Sequence, residues 1–192
     1  CDEVQCGWAR SGKMFASQYF ADAGCAPDIM TTAKSIAAGL PLSAVTARAE
    51  IMDAVTGGTI GGTFGANAVS AASALKVVEV MERDDYPAKA MHIADIAMKK
   101  FNEWKDKYEC VGDVRGMGAM MGIEFVKDKA SKTPDAELVG AIVQDAMNHG
   151  LMLEAAGTYN NVIRFLCPLC VTDEQLNAGL EILENSIKAC AK

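Results

Sequence analysis

Apolar residues recur at spacings of three and four along Ala90, Ile93, Ala97, Phe101, Trp104 and Tyr108, and again along Leu176, Leu180, Leu183 and Ile187. That period puts each set on one face of an amphipathic helix. The first helix opens at Pro87, since proline is well tolerated in a first turn, and the second follows a capping box formed by Thr172 and Gln175. Small and aliphatic residues from about Ala66 to Arg83 predict a long helix before these two. Thr133-Pro134 predicts another that stops at Gly150. Short apolar runs between turn residues read as strands: 28–32 (as a short strand or a loop entry), 42–46 (as a buried strand), 111–114 and 120–126 around the turn Arg115-Gly116-Met117-Gly118, then 151–153 and 162–166. Residues 6–24 are turn-rich, and Gly57-Gly58 and Gly61-Gly62 mark a loop around Thr63. Strands and helices mixed in this way give an α/β chain. We place a boundary near residue 80, between a strand-and-loop part with a linking helix (1–80) and a compact part (81–192).

The composition is that of an ordinary globular domain, 51% hydrophobic and 22% charged, and it adds mainly exclusions. A net charge of −7 with no basic stripe argues against a nucleic-acid partner. No apolar run is long enough for a bilayer, and no basic start with an apolar middle suggests a signal peptide. Seven scattered cysteines suit a reducing compartment better than a disulfide scaffold. The chain opens on Cys-Asp-Glu-Val-Gln with no element before it to hold that segment, which reads as the C-terminal piece of a longer enzyme.

Candidate chemistry begins with Lys34, the only charge in the run IMTTAKSIAAGLPLSAVTA from Ile29 to Ala47. Burying an ammonium among such neighbours lowers its pKa and makes the amine a usable nucleophile or base. The other reading is an exposed loop lysine. Cys167-Pro168-Leu169-Cys170 has CxxC spacing but no second pair, and the only histidines are His92 and His149. A structural zinc site needs four ligands, so we read this segment as strand-end packing and expect no metal.

The ordered motifs Asp2-Glu3-Val4-Gln5, Gly12-Lys13-Met14-Phe15-Ala16, Pro27-Asp28, Thr32-Ala33-Lys34-Ser35 and Gly39-Leu40-Pro41-Leu42 resemble the class III pyridoxal-phosphate aminotransferases. The resemblance continues through Gly61-Gly62-Thr63-Phe64, Gly112-Asp113-Val114-Arg115-Gly116 and Asn161-Val162-Ile163-Arg164 ahead of Pro168-Leu169, and so runs the length of the chain. It implies a fold-type I pyridoxal-phosphate transferase: part of the large domain, followed by the C-terminal α/β small domain. It also implies a cytoplasmic homodimer that moves the amino group of an ω-amino acid such as 4-aminobutyrate to 2-oxoglutarate. Alternatives are another ω-aminotransferase of the ornithine or acetylornithine type, an aminomutase, a racemase, or an inactive fragment.

The resemblance assigns roles residue by residue. Asp2 would face the pyridine nitrogen of pyridoxal 5′-phosphate and keep it protonated; otherwise it binds nearby backbone N–H groups. Val4 would pack on one ring face, or in ordinary core. Gln5 would donate to the phenolic oxygen. Glu3 reads as a solvated or structural neighbour. Lys34 would form a Schiff base with the cofactor aldehyde and then carry a proton. Thr63 would bond the cofactor phosphate in a neighbouring subunit's site, or be a solvated turn hydroxyl. Arg164 would clamp a substrate carboxylate with its planar fork, or make a surface ion pair. Glu154 would bias specificity toward amino groups, or cap a turn. Two departures stand out: a longer stretch from Tyr19 to Cys25, and Phe64-Gly65-Ala66-Asn67-Ala68 without the family's usual proline.

Overall fold

The computed structural model describes residues 1–59, 61–63, 65 and 67–191, and the chain divides into two units, Cys1–Ala88 and Lys89–Lys192. Phe64 of the glycine-loop motif and Ala66, the expected helix start, lie outside the described residues.

The first unit runs through turns into α1 (Ser17–Ala21), β1 (Ile29–Thr32), a 3-10 turn (Lys34–Ala37), β2 (Ala44–Ala47), α2 (Ala49–Met52) and α3 (Ala68–Arg83). β1 pairs antiparallel with β2 and also carries a parallel bridge between Thr31 and Asp2. In that bridge Thr31 N–H donates to the Cys1 carbonyl at 2.9 Å, and Glu3 N–H donates to the Thr31 carbonyl at 2.8 Å. Trp8, Ile36, Ala37 and Met81 form the core, with Phe15, Leu42 and Val77 packed against it. The Trp8 and Phe15 rings meet edge-on, 5.3 Å between centroids. β2 is not the buried strand expected, because Val45 is 52% exposed. Its pattern of small and β-branched residues reads as buried, but among the described residues its only strand partner is β1. α3 starts without the family's proline because the Asn67 side chain accepts from Val69 and Ser70 N–H, capping two of the helix's orphan donors.

The unit boundary falls in the first turn of α4 (Tyr86–Lys107). The second unit then folds as β3 (Val111–Met117), β4 (Met120–Phe125), α5 (Ala136–Asn148), β5 (Glu154–Ala156), β6 (Val162–Phe165) and α6 (Asp173–Cys190). Its strands form one antiparallel sheet in the order β3-β4-β6-β5. The expected apolar stripes are the ones buried: Ala90, Ile93, Ala97, Phe101 and Trp104 on α4, and Leu176, Leu180, Leu183 and Ile187 on α6. Phe101 meets Phe165 of β6 edge-on at 5.4 Å, which seats α4 on the sheet. The Thr172/Gln175 capping box is present.

Three boundaries differ from expectation, each for a local reason. Arg115 to Met117 belong to β3 rather than to a turn. Gly116 is there for closeness, since a Cβ on it would lie 2.6 Å from the Met121 side chain and 2.7 Å from the Met120 carbonyl. α5 begins after Asp135, whose carboxylate accepts from Leu138 N–H, rather than at Thr133-Pro134. Residues 151–153 are not a strand. Gly150, at φ 89°, closes α5, and Leu151 N–H is taken by the Ala146 carbonyl at 2.9 Å while Gly150 N–H bonds Met147. Pairing therefore starts only at Glu154, opposite Arg164.

Candidate active site

Asp2 and Lys34 are brought close by β1. Asp2 pairs with Thr31, and Lys34 follows three residues later, at the start of the 3-10 turn. Three residues span at most about 11 Å of chain, and paired strands lie about 4.8 Å apart, so the two Cα atoms are within about 12 Å. Asp2 is exposed, and its Oδ1 accepts from Val4 N–H at 3.0 Å, an Asx-type turn that fixes the carboxylate's direction. Val4 and Gln5 follow in this turn, both half-buried.

Lys34 is exposed, which matches the second of the two readings its uncharged surroundings left open. The run from Ile29 to Ala47 buries only Thr32, Ile36 and Ala37. Lys34 has φ 53°, a left-handed conformation that costs a side-chain-bearing residue about 1–3 kcal/mol. The surrounding structure holds that strain in place. β1 fixes the residues before Lys34. After it, Ile36 and Ala37 sit in the Trp8 and Met81 core, and the Ser73 hydroxyl of α3 donates to the Ala37 carbonyl at 3.1 Å. Backbone strain of this kind cannot be read from residue type.

Glu3 is structural rather than solvated. It is only 2% exposed, and its carboxylate accepts from the backbone N–H of Ala16 and Ser17, at the start of α1. The signal in sequence was alternation: in an extended Asp-Glu-Val, the middle side chain points opposite to its neighbours. Close by, the Cys6 thiol is pushed up from its usual pKa, first by burial and then by the negative charges of Glu3 and Asp2, so it stays protonated at neutral pH.

Thr63 lies exposed in a turn in which Gly65 N–H donates to the Gly62 carbonyl at 2.9 Å. No hydrogen bond or ion pair among the described residues joins it to Asp2 or Lys34. Arg164 belongs to the second unit, on β6. Its guanidinium is paired with the carboxylate of Glu154, directly opposite on β5. Both line a groove of about 590 Å³ with Leu151, Phe165, Leu166 and Pro168. Glu154 is thus the ion-pair partner of Arg164 rather than a turn cap. Cys167 and Cys170 are not joined in a disulfide, and no group of three or more candidate metal ligands occurs among the described residues. None of the described helices is long and apolar enough to cross a membrane.

The donor chemistry of the first unit suits pyridoxal phosphate. A directed carboxylate can hold a protonated ring nitrogen, and an exposed lysine whose Cα lies within about 12 Å of that of Asp2 carries a primary amine of the kind that bonds an aldehyde.

Comparison with known proteins bears on the whole chain. The model of the family "Aminotransferase class-III" matches residues 1–187. A probable 4-aminobutyrate aminotransferase of Bacillus subtilis is 43% identical over 188 residues, covering 98% of this chain and 42% of that protein. The 5-aminovalerate aminotransferase DavT of Pseudomonas putida is 42% identical over 183 residues, covering 95% of this chain and 42% of its own length. The chain thus spans less than half the length of these relatives. An amine transaminase from an uncultivated Pseudomonas species, solved with PLP bound, superposes with a TM-score of 0.88 at 29% identity, over 98% of this chain and 44% of that one. The fold is that of the fold-type I PLP-dependent transferases. Matched from its first residue to residue 187, this chain belongs to the class-III aminotransferase family, whose cofactor is pyridoxal 5′-phosphate.

Proposed function

We propose that the protein transfers the amino group of an ω-amino acid of the 4-aminobutyrate or 5-aminovalerate type to 2-oxoglutarate, with pyridoxal phosphate anchored on Lys34. The observation that supports this reading is the pairing of Asp2 with Thr31, three residues before Lys34, which puts the carboxylate-bearing and amine-bearing residues in one neighbourhood of the first unit. The B. subtilis relative, a probable 4-aminobutyrate aminotransferase, and the P. putida relative, a 5-aminovalerate aminotransferase, point to the substrate class.

When bound, pyridoxal phosphate acts as an electron sink for negative charge developing on the substrate carbon. Asp2 keeps the proton on the ring nitrogen, which strengthens that sink. Val4 packs on a ring face, and the Gln5 amide donates to the phenolic oxygen without adding charge. Lys34 Nζ would hold the cofactor through its aldehyde, and the same amine, when free, would be the group able to carry a proton, so one residue would serve as anchor and as acid/base. Thr63 Oγ1 bonds the cofactor phosphate in a neighbouring subunit, which makes the working unit a homodimer. Arg164 takes the substrate carboxylate in the groove it shares with Glu154.

Substrate profiling of the protein expressed from its complete reading frame tests the proposal. Turnover of 4-aminobutyrate or 5-aminovalerate that requires 2-oxoglutarate, and that is lost in Lys34→Ala, is the expected result. Normal turnover in Lys34→Ala, or no need for a keto-acid acceptor, refutes it.

A further inference from the structure

Glu3 is the most deeply buried titratable group near the candidate site, and none of the chemistry above uses it. It is tied at four points. Its carboxylate accepts from Ala16 and Ser17 N–H, where the capping residue of α1 supplies no side-chain acceptor of its own. Its backbone N–H donates to the Thr31 carbonyl at 2.8 Å, and its carbonyl accepts from Gly7 N–H at 3.0 Å. Gly7 approaches so closely that a Cβ there would lie 2.8 Å from the Glu3 carbonyl oxygen and 3.1 Å from the Phe15 ring. A buried carboxylate is costly unless its oxygens are bonded, so its two N–H partners fix where this residue can sit. Asp2 and Val4 are its immediate neighbours on either side, and Thr31 is three residues before Lys34.

We propose that Glu3 is a positioning residue: by bolting the Asp2–Val4 segment to α1 on one side and to β1 on the other, it sets the spacing between the Asp2 carboxylate and the Lys34 amine, and hence the affinity for pyridoxal phosphate. This rests on the cofactor roles of Asp2 and Lys34 proposed above. The two oxygens of Glu3 satisfy two donors. Glutamine keeps the length and one acceptor but turns an NH2 toward the other donor, so Glu3→Gln loosens the bolt while preserving the packing.

The test uses the apo-protein expressed from its complete reading frame. It measures the Kd for added pyridoxal phosphate and, without cofactor, hydrogen exchange at the Glu3 and Thr31 amides. Glu3→Gln is expected to weaken cofactor binding at least tenfold and to speed exchange at both amides at least tenfold. Gly7→Ala alters no chemical group but pushes on the Glu3 carbonyl, and is expected to weaken binding in the same direction. Gln18→Ala serves as the control. It removes the acceptor of Phe15 N–H at α1 without touching Glu3, and should lower the melting temperature while leaving the Kd as in wild type. Wild-type affinity in Glu3→Gln, or an equal loss in Gln18→Ala, overturns the positioning role, because Glu3 would then only be capping a helix. Failure of the underlying reading looks different: borohydride reduction of the wild-type holoprotein would leave no pyridoxyl group on Lys34.

Discussion

The ion pair between Glu154 and Arg164 makes a two-sided expectation about substrate binding. The two residues sit directly opposite on β5 and β6, with side chains 65% and 26% exposed, so water screens the pair. Half-solvated pairs of this kind contribute about 0.5–1 kcal/mol. A substrate carboxylate arriving at Arg164 has to share or displace Glu154. Glu154→Gln removes that competitor, and KM for substrates carrying a carboxylate should fall about two- to fivefold, since 1.4 kcal/mol is a factor of ten. Arg164→Ala removes a charge-assisted bond of about 1.5–3 kcal/mol and should raise those KM values about ten- to a hundredfold, with cofactor affinity unchanged. In the double variant the benefit of Glu154→Gln should vanish, because Glu154 acts only through Arg164. The assay is steady-state kinetics with amino donor and keto acid each varied in turn. Unchanged KM for both substrates in Arg164→Ala, or a gain from Glu154→Gln that persists in the double variant, refutes the clamp.

Two expectations concern the second unit. Glu184 accepts from Lys107 Nζ at 2.8 Å and from the Tyr108 hydroxyl at 2.9 Å, with Lys188 at 3.3 Å, and these partners, Lys107 first, hold its pKa at about 2. A depressed carboxylate stabilises the fold above its ordinary value of 4.5 and loses that contribution as pH falls toward 2. Discounted for its half-exposed lysine partners, this is about 1–2 kcal/mol. Glu184→Gln should therefore cost that much in urea melts at pH 7 and almost nothing near pH 2, whereas an equal cost at both pH values would contradict the assignment. Phe101→Ala opens a void against Trp104 and Phe165 and should destabilise the protein by about 3–5 kcal/mol in the same assay; a loss under 1 kcal/mol would show that this contact does not hold α4 to the sheet.

The helices of the second unit were legible because their signals are local and redundant. Phe101 and Leu180 recur with the helical period, Thr172 and Gln175 mark a start, and Gly150 marks a stop. What escaped was set by tertiary contact. Leu151 to Leu153 has the composition of a strand, but the α5 cap takes the Leu151 N–H. Gly116 looks like a turn residue and is instead a point of close approach between strands. In the first unit, the order of motifs around Asp2, Lys34 and Thr63 pointed to the family before any coordinate did. For Lys34 and Glu3 the sequence left two readings each, and coordinates chose between them: Lys34 is exposed, and a pair of α1 amides holds the buried Glu3 carboxylate. The Glu154 partner of Arg164 became visible only once the register of β5 and β6 was known.

The claim on which the rest depends is that Lys34 carries the cofactor, and it can be read directly. Pyridoxal phosphate is added to the protein, the mixture is reduced with borohydride and digested, and the peptides are sequenced by mass spectrometry. The expected result is a pyridoxyl group on the peptide containing Lys34, absent from Lys34→Ala and diminished in Asp2→Asn. A pyridoxyl group found stoichiometrically on a different lysine, with Lys34 unmodified, would contradict the account.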